Sequence, residues 1–138
     1  MKKLWVFIIL ILFDLNNIFA ENVFTVEIQN IIINGGTIYV AIYSDKQSFE
    51  NKHPDIILQV IPDNFICILE TTLSEGEYVI AIFQDSNGNG KMDYGLFGIP
   101  KEPYGFSNME GKTPGNYNQL KFKITNSNKR IIIQLVKW

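Results

Sequence analysis

The chain has 138 residues with a formal net charge of −2, 46 % hydrophobic residues and a single cysteine. So mild a charge, without basic clusters, speaks against nucleic acid or an anionic membrane as partner. One cysteine rules out an internal disulfide, and the apolar setting of Cys67 in Phe65–Leu69 makes it a buried, inert thiol rather than a reactive one.

Residues 1–20 have the layout of a secretory signal: Lys2 and Lys3 in the charged segment, Leu4 to Phe13 as the apolar run, Ala20 before a cleavage point. Asp14 ends that run well short of the roughly 20 residues of a membrane span. Cleavage after Ala20 is expected, with release into the periplasm or medium and no membrane span afterwards; an uncleaved anchor is the alternative. Residues 21–138 then form one domain.

Within it, Val23 to Ile33 is rich in β-branched residues and ends at Asn34-Gly35-Gly36, a hairpin signal. Thr37 to Ser44 alternates as a strand, and Asp45 to His53 is a polar loop or short helical turn. Ile56 to Ile61 and Phe65 to Glu70 are strands around the turn Pro62-Asp63-Asn64. Glu77 to Gln84 is apolar on both faces and belongs in the middle of a sheet. Gln119 to Thr125 alternates with Leu120, Phe122 and Ile124 inward, and Arg130 to Lys137 closes the chain. The pattern predicts an all-β fold: a single antiparallel β-sandwich of about seven strands, Ig-like or transthyretin-like, with one long Gly/Asn-rich crossover loop from Asp85 to Asn118.

That loop carries the chemistry. Asp85, Asn87, Asn89 and Asp93 stand at positions 1, 3, 5 and 9 of a calcium-loop pattern, with Gly90 at the turning position 6 and the Lys91 carbonyl at position 7. A hard cation takes six to eight oxygens, and alternate residues of a coiled loop converge on one centre. Position 12 is Leu96 instead of a bidentate Glu, so Glu102 or water would complete the shell. The flanking strand and glycines are not those of an EF-hand. A turn closed by Asx hydrogen bonds is the metal-free alternative.

The run Asp85–Asn108, with Gly36–Tyr43 and Gly76–Tyr78 before it, resembles the bacterial family of small exported proteins named domain of unknown function 2141. The gapped N-G-N-G-x-x-D pattern is kept by Asn87 to Asp93, while Gln84 stands where members often carry His. The resemblance covers essentially all of residues 21–138 and implies an exported β-sandwich of unestablished activity.

No catalytic constellation is visible. His53 is the only histidine, distant from Cys67, and Ser44, Ser48, Ser74 and Ser107 lack a nucleophile-elbow context. Asp85, Asp93 and Glu102 would supply a carboxylate pair for a hydrolase, but calcium ligation accounts for them better. Tyr94, Phe97, Tyr104 and Phe106 offer a platform for a sugar ring or a partner's apolar patch if exposed; packed beneath the loop, the favoured arrangement, they pin it to the domain. Two functions stay open. One is a calcium-stabilised binding or adhesion module of the cell envelope, with a carbohydrate or protein ligand. The other is a structural envelope protein whose loop is rigid without metal.

Overall fold

The computed structural model describes residues 22–138; the expected signal sequence and its cleavage point lie outside the described residues. The described chain is mostly strand. In chain order come β1 (Val23–Gln29), β2 (Thr37–Tyr43), helix α1 (Lys46–Glu50), β3 (Ile56–Val60), β4 (Cys67–Thr72) and β5 (Gly76–Asp85). After a 3-10 turn at Leu96–Gly98 follow β6 (Tyr104–Phe106), helix α2 (Tyr117–Leu120), β7 (Phe122–Ile124) and β8 (Arg130–Gln134). No helix among the described residues is long and apolar enough to cross a membrane.

The strands form two sheets, one in the order β4-β1-β8 and one in the order β3-β2-β5-β6, with β7 added to the far half of β5. Both sheets turn branched residues into one core: Phe24, Val26 and Ile28 of β1 and Ile133 of β8 meet Ile38, Val40 and Ile42 of β2 and Ile80 and Ile82 of β5. Burying such side chains contributes about 1.5–3 kcal/mol each. The central place expected for β5 is what the structure has: it pairs with β2, β6 and β7.

Three expectations are corrected. Pairing is not wholly antiparallel, because β1 and β8 run parallel, with Val26 opposite Ile131. Asn34-Gly35-Gly36 does not close a hairpin: β1 and β2 belong to different sheets, and the turn carries the chain from one to the other. The expected turn Pro62-Asp63-Asn64 is present between β3 and β4 and also crosses from one sheet to the other. The segment Gln119–Thr125 is half helix. Asn116 accepts from the Gln119 amide while the Gln119 side chain reaches back to the Asn116 N–H, a capping box that turns Tyr117–Leu120 into α2 before β7 begins.

The long connection also contains β6. Phe83 pairs with Tyr104 and Ala81 with Phe106, so the chain leaves β5 and returns alongside it. On the face of the larger sheet away from the core, one register row reads Ile57, Ala41, Ala81, Phe106. Two alanines side by side leave a hollow between larger neighbours. Tyr39 and Phe83 stack at 5.0 Å on one side of it. On the other, α2 covers Val79 with Tyr117 and Leu120.

Gly36 sets how closely this sheet packs onto its own turn. Its φ is +99°, and a Cβ there would lie 1.7 Å from the Asp85 carbonyl oxygen. Gly88, with φ +74°, has nothing within 4 Å. Gly36→Ala therefore combines left-handed strain with a backbone clash and is expected to cost about 3 kcal/mol or more. Gly88→Ala carries strain alone, about 1 kcal/mol. Urea denaturation of the two variants checks the difference.

Candidate functional site

Asp85 is the last residue of β5 and is 1 % exposed. Its Oδ1 accepts from the backbone N–H groups of Gly88 (2.9 Å) and Asn89 (3.2 Å), and its Oδ2 from Gly90 (2.7 Å). A buried carboxylate is costly unless hydrogen-bonded, and three amide donors meet that requirement. Gly88 and Gly90, both at φ +74°, give the backbone the curl that aims those donors inward. Next, Asn87 Oδ1 accepts from Asn89 N–H and Asn89 Oδ1 from Lys91 N–H, two Asx turns in succession. Both Asn side chains then donate to a single oxygen, Asp93 Oδ2, at 2.6 and 2.9 Å.

Four of the six expected ligand residues are thus drawn into one small loop. Among the described residues Asp93 Oδ1 accepts no bond, and Asn87 and Asn89 Oδ1 accept one each from their two lone pairs. Glu102, 3 % exposed, also comes to the loop, as expected from sequence, but at its base: Oε1 accepts from Ser86 N–H and Oε2 from Asp93 N–H. Lys91 is exposed. Among the described residues no three of His, Cys, Asp and Glu gather as metal ligands, so a cation here would depend on the two asparagine amides. Asp85 and Glu102 are sealed from solvent, each carboxylate held by backbone amides.

Gln84, which the sequence marks only as standing where family members often carry His, has a positioning role that sequence reading missed. Fully buried, it accepts from Ile32 N–H and donates to the carbonyls of Ile32 and Gly36, latching the turn between the sheets to β5. An amide offers donor and acceptor together, and a polar residue at the inward position that follows Tyr78, Ile80 and Ile82 was the available signal.

Beyond the loop, the hollow over Ala41 and Ala81 opens into a groove of about 590 Å³, within the range of small-ligand sites. Tyr39, Phe83 and Tyr43 line it from the sheet, Tyr104 and Phe106 from β6, and Gly90, Met92 and Tyr94 from the calcium-type loop and its continuation. A Cβ on Gly90 would sit 3.7 Å from the Tyr39 hydroxyl, so the loop lies against the groove's aromatic wall. Burial pushes the Tyr43 phenol above its ordinary pKa, with Tyr94 adding to the effect, which keeps it a neutral donor at physiological pH.

The four aromatics of the expected platform part company. Tyr104 is buried, its hydroxyl bonded to the Lys112 carbonyl, and Phe106 packs beside Val79. Tyr94 is 59 % and Phe97 97 % exposed, against the expectation that all four pack beneath the loop. Elsewhere, His53 is exposed with Nδ1 at 2.9 Å from the Asn51 carbonyl, and burial raises the pKa of Cys67, with Asp63 adding to it.

The two sheets and the Asn/Gly loop closing onto an aromatic groove define a small all-β protein built around one structured loop. The chain belongs to the family described as "Uncharacterized protein conserved in bacteria (DUF2141)", whose model matches residues 26–132. No curated protein and no solved structure matches it.

Asp85→Ala would orphan the Gly88 and Gly90 amides and leave Asn89 N–H with Asn87 Oδ1 alone, and is expected to cost about 3 kcal/mol. Asn87→Ala, in a half-open turn, should cost about 1 kcal/mol. Denaturant midpoints measured under chelator give both values free of any cation.

Proposed function

We propose that the protein is an exported binding module of the cell envelope, a β-sandwich of Ig-like or transthyretin-like kind that takes a small extracellular ligand in the groove of its larger sheet. The observation that carries this reading is the groove itself, where Tyr39, Tyr43, Phe83 and Tyr94 stand around a floor of alanines. Aromatic faces beside phenolic hydroxyls suit a ligand with one flat apolar face and polar edges, such as a sugar ring or an aromatic peptide side chain. The mature protein, screened against carbohydrate and peptide arrays, should bind a restricted set of such ligands. Tyr39→Ala should then weaken the best of them by about tenfold, equivalent to about 1.4 kcal/mol. Silence on both arrays would favour a structural envelope protein instead.

The loop above Tyr39 is proposed as a weak calcium site that stiffens one wall of the groove. Asp85, Asn87, Asn89 and Asp93 would provide side-chain oxygens, Lys91 its carbonyl, and Glu102 or water the rest. The open Asp93 Oδ1 favours it; the hydrogen bonds already closing the loop favour rigidity without metal. With few carboxylates, the dissociation constant should fall at about 10⁻⁴–10⁻³ M. At a hundredfold excess over that constant the fold gains about 2.7 kcal/mol. A melting temperature that rises with calcium, and loses the response in Asp93→Ala, is the expected result; an indifferent melt to several millimolar leaves the loop metal-free.

A further inference from the structure

Residues 93–101 form a finger whose Tyr94, Gly98 and Pro100 reach the groove but whose tip lies outside it. Lys101 N–H donates to the Asp93 carbonyl at 2.9 Å, Tyr94 and Pro100 form the next rung, and Gly95 N–H donates to the Ile99 carbonyl at 2.7 Å. The tip holds Leu96, 82 % exposed, and Phe97, 97 % exposed. Phe97 also has φ +60°, a conformation that a bulky side chain avoids. Left-handed strain spent to hold a phenyl ring in open solvent is unexplained by packing and points to use.

Polarity is graded along the finger. Behind the Leu-Phe tip come Ile99, 40 % exposed, and Tyr94, 59 % exposed, then Lys101 and Lys91. The Lys101 stem runs along the finger, its Cε 3.5 Å from where a Gly95 Cβ would be. The nearby carboxylates are held by other donors: Asp93 by two asparagine amides on Oδ2, Glu102 by two backbone amides. Within the described residues neither lysine has an ion-pair partner. Apolar tip, aromatic belt and cationic rim follow the polarity of a bilayer interface.

We infer that this finger docks the protein on a lipid surface, Leu96 and Phe97 entering the acyl-chain boundary and Lys91 and Lys101 meeting anionic headgroups. The chain's net charge of −2 argues against an anionic membrane only as an average over the molecule. Charges more than about 10 Å away are screened at physiological salt, so the lysines of the finger act alone. The apolar groove of a second copy is the rival occupant, but Glu50 in its lining is offset by Lys52 and already paired with Lys46 at 3.6 Å, so the groove offers two lysines no net negative charge.

An environment-sensitive fluorophore placed at Phe97→Cys in the full chain carrying Cys67→Ser decides the matter, with Ser127→Cys in the same background as the control. On vesicles of equal parts phosphatidylglycerol and phosphatidylcholine, the label at 97 should shift to the blue and be quenched by acyl-chain quenchers, while that at 127 stays aqueous. Lys91→Glu with Lys101→Glu should weaken the shift at 97 by about tenfold at low salt. An unchanged spectrum at 97, or an equal shift at both positions, overturns the inference. So does a shift at 97 that grows with protein concentration without lipid, which would seat the finger in a second copy.

Discussion

The carboxylate of Asp85 is the fixed point of the molecule's upper half. A negative charge that closed off from water demands donors, and the chain supplies three consecutive backbone amides from the residues just beyond it. Meeting that demand curls residues 86–90 back over the end of β5 and brings Gly90 against Tyr39. Glu102 repeats the device sixteen residues on from Ser86, holding that residue and Asp93 together. Once both ends of the loop are tied, Gln84 N–H reaches the Pro103 carbonyl and β6 falls into register beside β5. Much of the long connection is thereby ordered by two acidic side chains rather than by an apolar core of its own.

The groove follows from a different rule, the alternation of a pleated strand. In β2 and β5 the positions facing the core are Ile, Val and Tyr with Gln84 at the end, while those facing away set Ala41 between two tyrosines and Ala81 between Val79 and Phe83. Ala41 faces Ala81 in register, so the smallest side chains of both strands coincide. A single register slip would set an isoleucine into the hollow and an alanine into the core, so the same pairing that fills one face empties the other.

The sequence made β5 legible because an apolar run on both faces has few other uses, and it made the loop legible because Asp, Asn and Gly at alternate positions constrain the backbone locally. Glu102 lies at the base of that loop, its two oxygens taken by the Ser86 and Asp93 amides. Sheet membership was not legible: Asn34-Gly35-Gly36 specifies a turn, but which strand the next segment meets depends on β5, some forty residues later. The parallel β1–β8 pair is hidden for the same reason, since nothing within either strand encodes the direction of its partner. Helix α2 was legible in principle. Asn116 and Gln119 are spaced as a capping box, but the apolar alternation of Leu120, Phe122 and Ile124 drew the strand boundary too early.

Tyr104 and Phe97 show why composition could not settle the fate of the loop's aromatics. Both follow a Gly- or Pro-rich stretch, and both have neighbours that permit sharp turns. Tyr104 sits in β6, where its N–H and carbonyl pair with Val136 and its ring has the sheet on one side. Phe97 sits at the turn of a finger whose rungs are satisfied two residues back, so its backbone is stable without its ring touching anything. Burial here is decided by whether the backbone hydrogen bonds run back into the sheet or close on themselves. A self-closed finger can project apolar side chains without unravelling, whereas a strand paired to β5 has to bring its side chains with it. That difference, more than any count of aromatic residues, separates the part of the loop that is held against the sheet from the Leu96-Phe97 tip that leaves it.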